Sequence, residues 1–243
     1  MTTHWKTTKL QGHRPAFTVV EFLGVRILPA FLFALHAHAA PISGVTAIAS
    51  DNNLSSRPPI HAVDGSGLNS PGDPDNPSLW THQGGSNNFG QDWNWLADAR
   101  SDMGNPGVDN QWIAFDLGTV ETLGSMSVFN FGVSTGGNNA RGTLQADVYY
   151  RSDSFGNNTD NNLTPFDPTG WTLLGTAGTQ SFTKGPTNGD FQAADSIDLT
   201  GISARYFALD INTGHGDANF VGIGEVQFFP PVDDPTLELD TAS

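Results

Sequence analysis

The sequence first offers chemistry through a serine set between glycines and through aspartates that precede a histidine. Residues 132–136, Gly-Val-Ser-Thr-Gly, match the pattern of a nucleophile elbow, and Asp190 or Asp210 followed by His215 gives the order of a hydrolase triad. An elbow must join a strand to a helix, whereas Ser134 leads into Gly-Gly-Asn-Asn-Ala-Arg-Gly, which predicts a connection between strands. The sequence is therefore not expected to encode an enzyme.

Other reactive groups are scarce. The chain has no cysteine, which excludes disulfides and thiolate chemistry, and it has no His-Glu-x-x-His metalloprotease pattern. Of the 10 basic and 25 acidic residues, 4 and 1 respectively fall within residues 1–39, so the remainder carries a formal charge of −18. Nucleic acids and anionic lipids attract clustered lysine and arginine, so neither is an expected partner.

The amino-terminal segment, residues 1–39, has the features of a targeting leader. A basic start, an apolar run at 27–35 and Ala-His-Ala at 37–39 are typical of a secretory signal peptide. Residues 16–22, Ala-Phe-Thr-Val-Val-Glu-Phe, also resemble a type IV prepilin leader, with Glu21 at the assembly position, although Arg26 and Pro29 interrupt its apolar helix. Both interpretations predict export to the cell surface or beyond, and neither inserts the mature domain into a membrane.

Residues 40–230 have the spacing of turn-forming residues that is typical of an all-β domain. The chain holds 28 glycines and 15 prolines, and its Asn-, Asp- and Ser-rich clusters recur at intervals typical of short strands. Large aliphatic or phenylalanine side chains recur at every second position at 112–118 and 206–211, which predicts strands with one buried face, and a further strand is expected at 222–229. Residues 231–243 lack such a period and begin at the second of two adjacent prolines, 230 and 231, which predicts a disordered acidic tail.

Five sequence blocks follow one another in a recognisable order. They are Ala-Val-Asp-Gly at 62–65 followed by Trp80, Trp-Ile-x-x-Asp-Leu-Gly at 112–118, a strand at 143–152 that ends in Arg-Ser-Asp, Gly-Trp-Thr at 170–172, and Ala-Arg-Tyr with Glu-Val near the end. This order resembles the discoidin, or coagulation factor 5/8 type C, domain and its carbohydrate-binding relatives. The resemblance implies a galactose-binding-like fold, a jelly-roll β-sandwich of antiparallel strands.

The resemblance also implies a structural calcium ion. In that family the Asp-Gly turn and a glutamate near the last strand converge on a cation, which makes Asp64 and Glu225 the side-chain ligands here. Carbonyl groups around His61, Ser66 and Gly67 would complete the shell, since calcium takes several oxygen ligands. The loop at 66–73 is longer than the family's usual turn. The alternative is that Asp64 caps a turn and Glu225 lies at a solvated strand end.

Ligands of such domains bind to loops at one end of the sandwich, where rings stack on sugars and polar side chains take hydroxyl groups. Phe89 is one aromatic candidate in a long insertion. The predicted ligand-binding residues are His82, Trp93, Trp95, Arg141, His215, Asn219 and Phe220. For Trp93 and Trp95 the alternative is that they hold their own loop against the sandwich.

Four further side chains are expected to be structural. Trp80, Trp112 and Trp171 are predicted to lie in the core, and Arg205 is expected to pack or to pair with an acidic neighbour.

Two functions from different classes follow. The first is an exported, non-catalytic and monomeric module that binds a carbohydrate or another cell-surface polymer. The second is a structural component of an envelope, extracellular matrix or pilus-like assembly. Because one fold hosts many functions, exposure of the loop aromatic residues would favour the first.

Overall fold

The computed structural model describes residues 39–51, 57–69, 79–83, 93–98, 110–132, 138–187 and 191–232. In these ranges the regular structure is almost entirely β. The strands are β1 (Thr46–Ala49), β2 (Leu68–Asn69), β3 (Thr81–Gln83), β4 (Trp95–Asp98), β5 (Trp112–Asn130), β6 (Thr143–Arg151), β7 (Thr172–Leu173), β8 (Gln180–Ser181), β9 (Phe191–Ala193), β10 (Asp195–Gly214) and β11 (Phe220–Phe229). Short 3₁₀ turns occupy Pro59–Ala62 and Asn138–Arg141.

Two long strands, β5 and β10, organise the sandwich. They pair with each other antiparallel over both halves, and the register shifts twice, at 198–202 and, opposite 116–121 of β5, at 204–206. The interruptions coincide with glycine: Gly118 has a φ of +85° and Gly201 a φ of +83°, which other residues adopt only with strain. Each long strand therefore contributes one half to each layer.

The two layers are antiparallel and share β5 and β10. In one layer the first half of β5 pairs with β1 and with the second half of β10. The second half of β10 also pairs with β6, and β6 pairs with β7 and β8. The second half of β5 continues through β11 to β4. A separate sheet in the order β2-β3-β9 lies beside this framework. The prediction of an all-β, antiparallel β-sandwich is confirmed.

Aromatic side chains from both layers meet in the interior. Phe228 of β11 lies 5.6 Å from Phe115 of β5 and 5.1 Å from Phe207 of β10, measured between ring centroids. All three side chains are fully buried. Burial of one such side chain stabilises the fold by about 2–3 kcal/mol, so this contact is a principal link between the layers.

The outer face of the first layer carries a second apolar cluster. Trp112, Phe166, Trp171 and Tyr206 pack together there, and the Trp112 indole donates a hydrogen bond to the Thr164 carbonyl at 2.9 Å. The segment 152–171 thus covers a face that the two-residue period alone would leave to solvent. Trp112 and Trp171 are core residues, as predicted.

The predictions for Trp80 and Arg205 are also confirmed. Trp80 is buried with its ring centroid 6.3 Å from that of Phe229. Arg205 forms a two-pronged ion pair with Asp116, with N···O distances of 2.7 and 2.8 Å. In the part of the chain that the structure describes, no helix has the length and apolar character to cross a membrane.

Candidate functional site

Two loops meet at the end of the sandwich where β11 begins. One is the 3₁₀ turn at Asn138–Arg141 that leads into β6, and the other, residues 215–219, joins β10 to β11. His215 N donates to the Gly142 carbonyl at 2.9 Å, and Asp217 N donates to the Ala140 carbonyl at 3.1 Å. These backbone hydrogen bonds fix one loop against the other. We name the side chains that they bring together, Arg141, His215, Asp217, Asn219 and Phe220, the loop cluster.

Asp217 is the centre of the loop cluster. One carboxylate oxygen accepts the Arg141 Nε hydrogen at 3.1 Å, and the other accepts the backbone amides of Asn219 at 2.8 Å and Phe220 at 3.2 Å. Sequence reasoning missed this residue. Its signal was the Asp-Ala-Asn triplet, since an aspartate that binds the amide two residues later is typical of a tight turn.

The guanidinium of Arg141 lies over the Phe220 ring, 4.4 Å from its centroid. Phe220 also packs against Leu96 and Phe131, so much of its ring is already in contact with protein. Asp217 takes Nε, and the Arg141 side chain keeps 21% of its surface exposed. Its two terminal nitrogens make no hydrogen bond to the described protein, which leaves a planar pair of donors for a ligand.

His215 and Asn219 extend the loop cluster. The His215 ring donates from Nε2 to the Phe182 carbonyl at 3.0 Å, and partial burial lowers the pKa of His215 from 6.5. The ring is thus a neutral group above pH 6.5 with Nδ1 as an acceptor. Asn219 is exposed and adds an amide that both donates and accepts.

Two predicted ligand-binding residues lie elsewhere, and those predictions are wrong. Trp95 belongs to β4, is fully buried, and donates its indole hydrogen to the Asp51 carbonyl at 3.0 Å. His82 belongs to β3 and is also fully buried. Their polar sequence surroundings concealed two short strands. Trp93 is half-buried, and Phe89 lies outside the described residues.

A second polar centre forms where the turn after the first 3₁₀ segment meets β11. The Gly65 amide lies 3.2 and 3.3 Å from the two Glu225 oxygens, and Gln227 donates to the same carboxylate. Asp64 accepts the Ser66 amide at 2.8 Å and pairs with His61 Nδ1 at 2.8 Å. We name His61, Asp64, Gly65, Ser66 and Glu225 the acidic junction; it brings together four of the five predicted metal ligands.

The two carboxylates of the acidic junction differ in environment. Glu225 is fully buried, and burial raises its pKa well above 4.5, with a further upward contribution from the charge of Asp64. Partial burial also acts to raise the pKa of Asp64, but hydrogen bonds from Ser66 and His61 outweigh it and leave the pKa below 3.8. Glu225 is thus a buried acid beside a negative charge, without a cationic side chain to neutralise it among the described contacts.

His82 supports the acidic junction from below. Its Nε2 donates to the Ser66 carbonyl at 3.0 Å, and burial lowers its pKa to about 4, so the ring is neutral at physiological pH. Gly67, the fifth predicted ligand, has a φ of +80°, and a Cβ there would lie 2.8 Å from His82 Nε2. Only glycine fits this turn without displacing the ring.

The donor groups of the acidic junction fit a hard cation in type. Glu225 accepts the Gly65 amide, Asp64 accepts the adjacent Ser66 amide, and the Ser66 carbonyl lies beside them, so the site has the oxygen-rich chemistry that calcium prefers. Among the described residues, however, no three His, Cys, Asp or Glu side chains group as a metal site. A cation here would therefore depend on carbonyl oxygens for most of its shell.

Comparison with known proteins gives likenesses of fold. No protein-family model and no curated protein sequence matches the chain. Among solved structures, the family 32 carbohydrate-binding module of NanJ from C. perfringens, solved with galactose, is 16% identical at a TM-score of 0.45, over 79% of this chain and 98% of that one.

Two other solved structures lie at the same level. A module from Clostridium perfringens in complex with GalNAc-β-1,3-galactose is 14% identical at a TM-score of 0.46, over 79% of this chain and 99% of its own. An F5/8 type C domain from Bacteroides fragilis is 15% identical at a TM-score of 0.45, over 80% and 97%. These are the classes of domain that the sequence blocks resemble, while the sandwich assignment itself rests on the strand order and register of this chain.

Proposed function

We propose that this protein is an exported, non-catalytic carbohydrate-binding module whose recognition surface is the loop cluster. One observation carries the proposal. Four of the seven residues expected to contact a ligand, Arg141, His215, Asn219 and Phe220, come from two separate loops and converge around Asp217 at one end of a rigid sandwich.

The chemistry of the loop cluster suits hydroxyl groups. Neighbouring sugar hydroxyls present acceptors at a spacing that the two terminal nitrogens of one guanidinium can bind together. Asp217 and Phe220 hold that guanidinium in place, so little side-chain freedom is lost on binding. Asn219 and His215 provide further donors and acceptors around it.

The direction in which β11 runs leaves the loop cluster accessible. This strand of 10 residues spans roughly 30 Å, with Phe220 at one end and Phe229 at the other. Ile42 N donates to the Phe228 carbonyl at 2.8 Å, so residues 42 and 228 lie side by side near the far end. A segment that tethers the domain through either of these stretches would leave the loop cluster facing outward.

A structural calcium ion at the acidic junction is part of the proposal. Asp64 and Glu225 would hold it together with carbonyls at His61, Ser66 and Gly67. The support is the buried Glu225 carboxylate beside Asp64, a charge arrangement that a cation would relieve. When bound, the ion would supply charge neutralisation and cross-link the turn to β11, without a role in catalysis.

A glycan-array experiment on residues 40–243 tests the proposed function. Galactose, GalNAc-β-1,3-galactose and Lewis b, which are ligands of the similar structures, are the first probes. Arg141→Ala is the site variant. Arg205→Ala is the matched control, because that arginine also pairs with an aspartate and lies over a ring, but away from the loop cluster.

The expected result is binding by the wild type and by Arg205→Ala, with at least a 10-fold loss in Arg141→Ala. Equal binding by all three proteins would overturn the proposed site. Absence of binding to every glycan, with calcium still raising the melting temperature, would favour the alternative of a structural component of an envelope, matrix or pilus-like assembly.

A further inference from the structure

Two aspartates face each other across the seam between β6 and β10. Asp147 and Asp210 are directly opposed in the antiparallel register, so their Cβ atoms are about 5 Å apart on the same face. The next opposed pair on that face is Tyr149 and Ala208, which belong to the outer apolar cluster. The aspartates therefore lie at the margin of an apolar surface rather than in open solvent.

In this pair, one carboxylate accepts hydrogen bonds from the protein and the other accepts none from the described residues. Asp147 is 9% exposed, and one of its oxygens accepts hydrogen bonds from Gly178 N and, at 3.1 Å, from Asn212 Nδ2. Asp210 makes no hydrogen bond through its carboxyl group to the described protein. Like charges placed directly opposite on neighbouring strands are destabilising.

The charged and titratable groups around Asp210 are few. On β6 they are Asp147 and Tyr149, and on β5 the residue opposite Asp210 is Trp112. The turn at 174–179, which provides the Gly178 amide, contains no titratable side chain. Within the described part of the chain, neither aspartate has a lysine, arginine or histidine as an ion-pair partner.

We propose that Asp210 keeps its proton below neutral pH and, with Asp147 directly opposite it, forms an acid-stabilised fastening between β6 and β10. In the protonated state Asp210 presents a neutral carboxylic acid to the Asp147 carboxylate. In the deprotonated state two negative charges oppose each other in a half-buried seam. The fastening thus strengthens on acidification and weakens as the pH rises.

The titration of the neighbouring groups agrees with this arrangement. Burial raises the pKa of Asp210 to about 7, and the charge of Asp147 adds to that shift. Burial and then the charges of Asp147 and Asp210 raise the pKa of Tyr149. An aspartate in an unfolded chain titrates near 3.9. Between about pH 4 and pH 7 the folded protein therefore holds a proton that the unfolded chain has already released. Stability must fall over that interval and level off above it.

Thermal unfolding of the full chain and of Asp210→Asn, measured from pH 4.5 to 8.5 with a chelator present, tests the fastening. The asparagine is isosteric and always neutral. We expect the melting temperature of the wild type, relative to Asp210→Asn, to fall by roughly 5 °C between pH 5 and pH 8. The subtraction removes the contribution of Glu225, whose raised pKa acts in the same direction.

A direct titration of the wild type supports or overturns the same inference independently of any variant. Carbon-13 NMR of labelled aspartate carboxyl groups should show one resonance, which Asp210→Asn removes, with a midpoint near pH 7. In Asp147→Asn the midpoint of Asp210 should move to lower pH. A pH-independent difference in melting temperature, or aspartates that all titrate below pH 5, would overturn the proposal.

Discussion

The acidic junction and the loop cluster contain similar groups but differ in burial and in charge compensation. Each joins chain segments that are distant in sequence through one carboxylate, which accepts hydrogen bonds from the backbone and from a side chain. At the acidic junction that carboxylate is Glu225, which is fully buried and lies beside Asp64. In the loop cluster it is Asp217, whose charge is balanced by Arg141 and whose side chain keeps 18% of its surface exposed.

The difference separates support of the fold, at the acidic junction, from the recognition that we propose for the loop cluster. A buried charge without a counter-charge is costly and persists where hydrogen bonds or a cation compensate it, so the acidic junction bears on stability. A compensated pair at the surface costs little and leaves donors free, so the loop cluster can change its partners without unfolding the domain. Substitutions in the two regions should therefore act on different measurements.

The largest expected effect is that of Glu225→Ala. Truncation leaves the Gly65 amide and the Gln227 side chain without their acceptor inside the protein, and we expect the free energy of unfolding to fall by about 2–4 kcal/mol. Urea denaturation of the wild type and the variant measures this loss.

Glu225→Gln is the matched control, because it keeps the size of the side chain and removes its charge. Calcium should raise the melting temperature of the wild type and leave that of Glu225→Gln unchanged. If Glu225→Ala were as stable as the wild type, the acidic junction would not support the fold.

An intermediate effect is expected from Gly67→Ala. The new methyl group would lie 2.8 Å from His82 Nε2, at a φ of +80°, and we expect a loss of about 1–3 kcal/mol in unfolding free energy. Gly201→Ala is the control, since it has a φ of +83° and nothing within 4 Å of its Cβ position.

The two glycine variants share the backbone strain, so their difference measures the contacts of the new methyl group with His82 and with the Gln83 carbonyl, 3.1 Å away. Equal losses in the two variants would show that β3 moves aside without cost. A larger loss in Gly67→Ala would confirm that His82 and the Gln83 carbonyl of β3 hold the turn of the acidic junction in place.

The smallest expected effect on stability is that of Arg141→Ala. Its ion pair with Asp217 is partly exposed and its contact with Phe220 lies at the surface. The free energy of unfolding should therefore fall by at most about 1 kcal/mol. Chemical denaturation provides the value. A loss as large as that of Glu225→Ala would remove the distinction between the two regions.

The sequence predicts the framework of this fold because its two long strands carry a clear two-residue pattern of apolar side chains. The alternation at 112–118 and 206–211 identifies β5 and β10, and their buried faces follow from it. One feature of these strands could not be predicted in this way. The outer faces of the same strands are also covered, because the distant segment 152–171 folds over Trp112 and Tyr206.

The candidate site was predictable in its residue types and less so in its geometry. Arg141 lies in a turn and Phe220 begins β11 directly after a loop, both at places that the strand pattern indicates. Trp95 instead belongs to a strand of four residues within a polar stretch of sequence. The opposition of Asp147 and Asp210 depends on strand register, which no local pattern contains. Pairwise contacts between distant strands are the part of the structure that one sequence leaves open.

The most direct test of the central claim is a map of ligand contacts by amide chemical shifts. Residues 40–243, labelled with nitrogen-15, would be titrated with the glycan that binds most strongly on the array. We predict that the largest shifts fall at Arg141, Gly142 and 215–220, while Gly65 and Ser66 stay unchanged. Shifts centred on the acidic junction, or spread evenly over the sandwich, would contradict recognition by the loop cluster.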